Sequence, residues 1–185
     1  FAIGATVGGY ELTAKIGSGS HGQVWLSRSA TGQYNALKIM KRDEMEDDDQ
    51  FDREFRGICH YEPLSRDHEG LIDIFHVTRD DEAGYYYYVM ELADDLHSGQ
   101  EITSESYKAR NVAAEVAARG RLPLAECLDI GIQASYTLGY LHAHNIVHRD
   151  IRLSSIIYCR GRIKLADVSF ITAIGGTISA SGTAG

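Results

Sequence analysis

Residues 17–24 read Gly17-Ser18-Gly19-Ser20-His21-Gly22-Gln23-Val24, and the residues after them constrain the fold more than the glycines do. A dinucleotide fingerprint opens a helix, and a Walker loop ends in Gly-Lys-Ser/Thr. Here Val24-Trp25-Leu26-Ser27-Arg28 continues as a strand. The segment is therefore a hairpin turn, a plain Gly/Ser turn or one whose Cβ-free backbone can approach phosphates closely. Past the Thr31-Gly32-Gln33 turn, Ala36, Leu37 and Ile39 resume the alternation. Residues 10–40 thus read as three consecutive antiparallel strands, a meander and not a βαβ unit.

The pattern then extends this sheet and changes character. Residues 45–59 carry Phe51, Phe55 and Ile58 at helical spacing behind the acidic run Glu46-Asp47-Asp48-Asp49, which reads as a solvated helix start. Residues 71–77 and 85–92 read as two more strands, joined by a polar turn over 80–84. Five strands and one helix make a first lobe. A polar loop over 94–106 leads to helical patterns at 107–119 and 124–144, the second opening after Pro123, where a proline is tolerated. A last hairpin pairs 156–159 with 162–166 around Arg160-Gly161.

Composition narrows the partners. The formal net charge of −8 over 185 residues argues against a protein that holds nucleic acid by neutralising phosphates, because no basic stripe offsets the acidic excess. A nucleotide pocket needs only local cations. Cys59, Cys127 and Cys159 lie far apart and suggest neither a disulfide framework nor a zinc site, so a reducing cytoplasm is the expected setting. No apolar run reaches membrane-spanning length, and Phe1-Ala2-Ile3-Gly4 lacks the cationic region of a signal peptide. Without an initiator Met, further residues are expected upstream.

Three later positions carry chemistry. Lys38 lies inside the apolar strand Tyr34-Asn35-Ala36-Leu37-Lys38-Ile39, and a buried lysine is costly unless paired. It reads either as a paired cation or as an edge-strand lysine that snorkels. His148-Arg149-Asp150 follows an apolar helix end, and Asp167 closes the last hairpin strand, where an Asp is also a common turn initiator. His142, His144 and His148 invite a metal reading, but no acidic partners recur around them.

In this order and spacing the glycine turn, Lys38, His148-Arg149-Asp150 and Asp167 resemble a protein kinase, most nearly the bacterial serine/threonine protein kinases, over residues 10–185. The resemblance implies an α+β, kinase-like bilobal fold: a five-stranded antiparallel N-lobe with one helix, and an incomplete, mostly helical C-lobe. Residues 1–9 would be an N-terminal extension, 10–93 the N-lobe and hinge, and 94–185 a partial C-lobe. ATP and Mg2+ are the implied cofactors. Ile16, Gly17, Ser18, Gly19, Ser20, His21, Gly22, Val24 and Ala36 would cover the nucleotide. Met90 would be the gatekeeper before a hinge in which Glu91 and Ala93 meet adenine through their backbones. Lys38 would hold the α and β phosphates, paired with Glu54 or, alternatively, Asp52. Asp150 would be the base, and Asp167 with Ser155 would bind magnesium. Arg149 would receive a phosphorylated activation-segment residue, with Thr172, Thr177 and Ser179 as candidates and Thr183 structural. The implied partner is a protein with a Ser or Thr hydroxyl; no nucleic acid or membrane segment is implied, and the oligomeric state stays open.

Departures cluster in the catalytic half. The fifth residue after Asp150 is Ser155 where the family has a magnesium-binding Asn, and Arg152 stands where it has Lys. Asp-Phe-Gly becomes Asp167-Val168-Ser169, with a shorter apolar plug and less backbone freedom. They keep open a pseudokinase reading, a nucleotide-binding or regulatory module with weak or no turnover. A small-molecule phosphotransferase of the same broad fold is a third reading. Residues 181–185 resemble the end of an activation segment, just before the family's Pro-Glu anchor. The helices that come next in the family would cover the helix at 124–144 and build the peptide platform, so that helix is expected to lack packing surface.

Overall fold

The computed structural model describes residues 1–19, 22–168 and the backbone of 172–173. Its N-terminal half is a six-stranded antiparallel sheet of β1 (Thr6–Val7), β2 (Tyr10–Gly19), β3 (Gly22–Arg28), β4 (Tyr34–Lys41), β5 (Ile74–Asp80) and β6 (Tyr85–Met90), in the order β1-β2-β3-β4-β6-β5. The meander read from the sequence is present. The extra strand is the two-residue β1, which pairs Thr6 and Val7 with the start of β2 at the sheet edge. It is too short to show an alternation.

Strand alternation sorts the sheet into two faces. Leu37, Ile39, Tyr87 and Val89 pack with Val7, Leu12 and Trp25 on one side. Ala36, Met40, Tyr86, Tyr88 and Met90 lie on the other, against α1 (Asp48–Ser65). Apolar residues on both faces are why β4 reads as an almost unbroken buried run. Lys38, opposite Val24 on β3 and Tyr88 on β6, is therefore in the middle of the sheet and not on an edge strand.

Helix α1 begins at Asp47, whose carboxylate accepts from the Gln50 N–H at 2.7 Å, so the acidic run caps the helix as well as solvating it. It extends six residues beyond the expected end at 59, through Pro63, to Ser65. A proline in the last turn interrupts little, and Tyr61, fully buried with its hydroxyl on the Ile72 carbonyl at 3.2 Å, holds the added turns down. The expected strand at 71–77 is displaced to β5. Residues 71–72 are extended but bond to the later hairpin, with the Ile72 N–H donating to Leu165 and the Leu165 N–H to Gly70.

The second half holds α2 (Val112–Arg119), α3 (Leu124–Ala143), β7 (Ile146–Val147), β8 (Ile156–Cys159), β9 (Arg162–Leu165) and β10 (Thr172–Ala173). The helix expected from 107 starts only at Val112, behind an Asn111 cap on the Ala114 N–H. Two aspartates explain this. The Lys108 N–H donates to the Asp95 carboxylate and the Arg110 N–H to the Asp94 carbonyl, which draws 107–110 out as extended chain. The β8–β9 hairpin turns at Arg160-Gly161, both at positive φ, and the two N–H groups donate to the Asp94 carboxylate at 2.8 and 2.7 Å. The largest core joins both halves, since Leu141, Ile146, Ile157, Ala166 and Val168 pack in the cluster that holds Ala36 and Met90. Among the described residues no helix is long and apolar enough to cross a membrane.

Candidate active site

The glycine turn pairs Gly17 with Val24, Ser18 with Gln23 and Gly19 with Gly22, leaving a two-residue tip. That tip, Ser20 and His21, lies outside the described residues. Gly22 has no substitute: its φ is +92°, and a Cβ there would stand 2.3 Å from the Ile39 carbonyl oxygen. The turn is thereby pressed onto β4 one residue from Lys38. Ile16 precedes the turn and Val24 follows it in sequence, Ala36 on β4 lies opposite Leu26, and Met90 lies opposite Ala36 at the end of β6.

Lys38 is 6% exposed. Across from it on α1, Glu54 is buried, and burial raises its carboxyl above the usual range, opposed by the Gln50 amide bond and by the Lys38 charge. Gln50 donates to Oε1 at 2.9 Å, while Oε2 has no hydrogen-bond partner among the described residues. Asp52, the alternative partner for Lys38, instead bonds Arg79 at 2.7 Å on the solvent side, and that bond lowers its carboxyl. Of the two carboxylates, Glu54 is the one whose carboxyl the Lys38 charge acts to lower.

Of the residues expected at the hinge, Glu91 carries more than its backbone. Its N–H donates to the Asp73 carbonyl at 3.0 Å, and its carboxylate accepts from the Asp73 N–H and from the buried ammonium of Lys164. Lys164 also reaches Asp73 at 3.0 Å. Burial alone would depress this ammonium, but the bonds to Glu91 and Asp73 outweigh it and raise it above the ordinary lysine value. Lys164 was legible as a lysine inside the apolar strand Ile163-Lys164-Leu165, the same contrast that marks Lys38. The Ala93 carbonyl accepts from the Tyr107 hydroxyl at 3.0 Å. A cavity of about 330 Å³ lies beside the hinge between Tyr34, Phe75, Leu92, Ile102 and Arg160, and neither Lys38 nor Asp167 lines it.

The loop from His148 to Ser155 is held from beneath. His148 is 1% exposed and bonds the Ala166 carbonyl through Nε2 at 2.8 Å; burial lowers its pKa and favours the neutral ring. Arg149 and Asp167 both adopt left-handed backbone, φ +66° and +60°, a strained conformation that clusters at functional positions. Asp150 and Asp167 are brought together through Arg152, whose Nη2 is 3.0 Å from Asp150 Oδ2 and 3.6 Å from Asp167 Oδ2.

Ser155 corrects an expectation. Its hydroxyl is fully buried and serves the loop, accepting from the Arg152 N–H at 2.9 Å and donating toward the Asp150 and Arg152 carbonyls at 3.0 and 2.9 Å. The side-chain oxygen is committed to backbone and does not fit a magnesium ligand. Asp167 does fit one, with a carboxylate 37% exposed. Among the described residues no group of three or more His, Cys, Asp or Glu is arranged to hold a metal alone, so a cation here would share its ligands with a phosphate chain. Val168 is buried in the main core as the expected plug. Thr172 pairs through its backbone with Val147. Ser169, Thr177, Ser179 and Thr183 lie outside the described residues.

The sheet offers a tight glycine turn and a buried ammonium, and the loop after β7 with the end of β9 offers two carboxylates bridged by a guanidinium. The family described as the protein kinase domain matches residues 10–183. The serine/threonine-protein kinase PrkC of Bacillus subtilis is 29% identical over 178 residues, 95% of this chain and 25% of that protein. The serine/threonine-protein kinase PknA of Mycobacterium tuberculosis is 28% identical over 178 residues, 93% of this chain and 38% of that protein. The chain thus spans a quarter to two fifths of these relatives. The M. tuberculosis PknI kinase domain superposes with a TM-score of 0.69 at 24% identity, covering 91% of this chain and 61% of that one, a likeness of fold.

Proposed function

The chain belongs to the protein kinase domain family, and from that premise we propose that it forms the nucleotide site and catalytic loop of an ATP-dependent serine/threonine protein kinase. The observation that carries the proposal is the meeting of Asp150 and Asp167 through Arg152, in a molecule whose sheet holds the buried Lys38 and shares its core with Ala166 and Val168. Residues 10–93 would act as N-lobe and hinge and 94–185 as part of the C-lobe. When bound, Mg2+ and ATP supply the γ-phosphoryl group and neutralise the charge that builds on it.

The protein residues then have separable tasks. The backbone of Gly17, Ser18 and Gly22 covers the phosphates, and Lys38, kept in place by Glu54, fixes the α and β groups. Asp167 holds the cation. Asp150 orients the acceptor Ser or Thr hydroxyl of a protein substrate and takes its proton late in transfer. His148 and Ser155 keep the loop in this shape. The Glu91 and Ala93 backbones receive adenine.

A second reading, a pseudokinase that binds nucleotide without turnover, is favoured by one observation: Ser155 spends its hydroxyl on the loop. Two measurements on the full-length protein separate the readings: affinity for Mg2+–ATP, and incorporation of γ-phosphate into Ser or Thr mapped by mass spectrometry. Binding with incorporation is expected. Binding without incorporation selects the pseudokinase, and no binding rejects both.

A further inference from the structure

Ser155 and Arg152 form one device. An asparagine amide carries donors and an acceptor on separate atoms, so it can bond a loop carbonyl and face a cation at once. A serine hydroxyl has one oxygen for both tasks. Here that oxygen lies at 0% exposure, takes the Arg152 N–H, and points its hydrogen at the Asp150 and Arg152 carbonyls. A cation at bonding distance from it would have to displace the backbone that closes the loop.

The same bond holds the backbone of Arg152, whose guanidinium leaves the loop to stand 3.0 Å from Asp150 and 3.6 Å from Asp167. A positive charge is thus already built between the two carboxylates. Its side chain is 59% exposed, so it can move when phosphates arrive.

We propose that this site, resting on the kinase reading above, takes a single divalent cation through Asp167, and that the guanidinium of Arg152 supplies the remaining positive charge. Ser155 contributes by setting the Arg152 backbone and ligates nothing. Because the guanidinium competes with the cation for Asp167, its removal tightens metal binding.

The test is a Mn2+ titration of the full-length protein saturated with adenylyl imidodiphosphate, reading free Mn2+ by electron paramagnetic resonance against the nucleotide alone. One ion per ternary complex is expected, and two ions would overturn the inference while leaving the kinase reading intact. No binding of Mn2+ or nucleotide overturns both. Arg152→Met is expected to tighten Mn2+ about tenfold, the size of a lost like-charge contact at partly exposed distance; an unchanged or weaker affinity counts against the inference. Ser155→Ala is expected to leave the ion count at one, and loss of an ion in a variant that keeps its thermal transition would make Ser155 a ligand. The wild-type count decides the matter even if neither variant folds.

Discussion

Glu54 is held where its charge costs stability and where the proposed site would use that charge. Burial raises its carboxyl above the usual value. The native state therefore binds the proton more tightly than the unfolded chain, and stability falls as pH climbs through the ordinary glutamate value, about 4.3, toward the raised one. At neutral pH the ionised form is a load on the fold. Glu54→Gln is accordingly expected to leave the thermal transition unchanged or raise it, by no more than about 1 kcal/mol, while weakening Mg2+–ATP binding or turnover about tenfold or more. Isothermal titration beside a melting curve checks it, and a marked loss of stability with intact nucleotide affinity would make Glu54 merely structural. At this scale the sequence was legible by contrast: Lys38 in an apolar strand, His148-Arg149-Asp150 after an apolar helix end. What a side chain bonds was not legible. Ser155 and Asp52 have the right chemistry for the roles expected of them; Ser155 instead bonds the backbone of its own loop three to five residues away, through a loop conformation that no residue pattern encodes, and Asp52 bonds Arg79, which the fold brings from β5.

Elements differ in how they are tied down. The start of α1 is fastened by Arg42, which bonds Asp48 at 3.0 Å and Asp81 at 2.9 Å and lies over the Phe51 ring, and by Arg79 between Asp52 and Asp81. These pairs are exposed and each contributes little. The hinge is tied to β9 differently, by the buried Lys164–Glu91 pair with Asp73 beside it. Removing one partner of a buried pair leaves the other uncompensated. Lys164→Met should cost about 3 kcal/mol in urea unfolding, and adding Glu91→Leu should recover most of it; additive losses would mean that the pair is not coupled. Strand β5 was read three residues early because 71–72 bond to the later hairpin, whereas the meander β2–β4, β6 and the β8–β9 hairpin were legible because alternation and turn residues are local. The start of α2 was not, because Asp94 and Asp95 act on it from the far side of a loop, and the end of α1 was masked by Pro63.

Across the whole molecule one face of the sheet shares its core with the later hairpin, so Ala36 and Met40, on either side of Lys38, pack in the same cluster as Ala166 and Val168, on either side of Asp167. One surface stands apart. Leu124, Leu128, Ile132 and Tyr136, spaced one turn apart on α3, are 75, 57, 67 and 74% exposed, an apolar stripe of the kind that ordinarily packs against something. Phosphoryl transfer organised by Asp150 is the activity proposed for these elements, and the most direct measurement is γ-phosphate incorporation by the full-length protein compared with its Asp150→Asn form, both saturated with Mg2+–ATP. Near-isosteric replacement of the base should retain nucleotide binding and cut transfer by about a hundredfold or more; equal transfer by the two proteins would contradict that role for Asp150 and the kinase mechanism built on it.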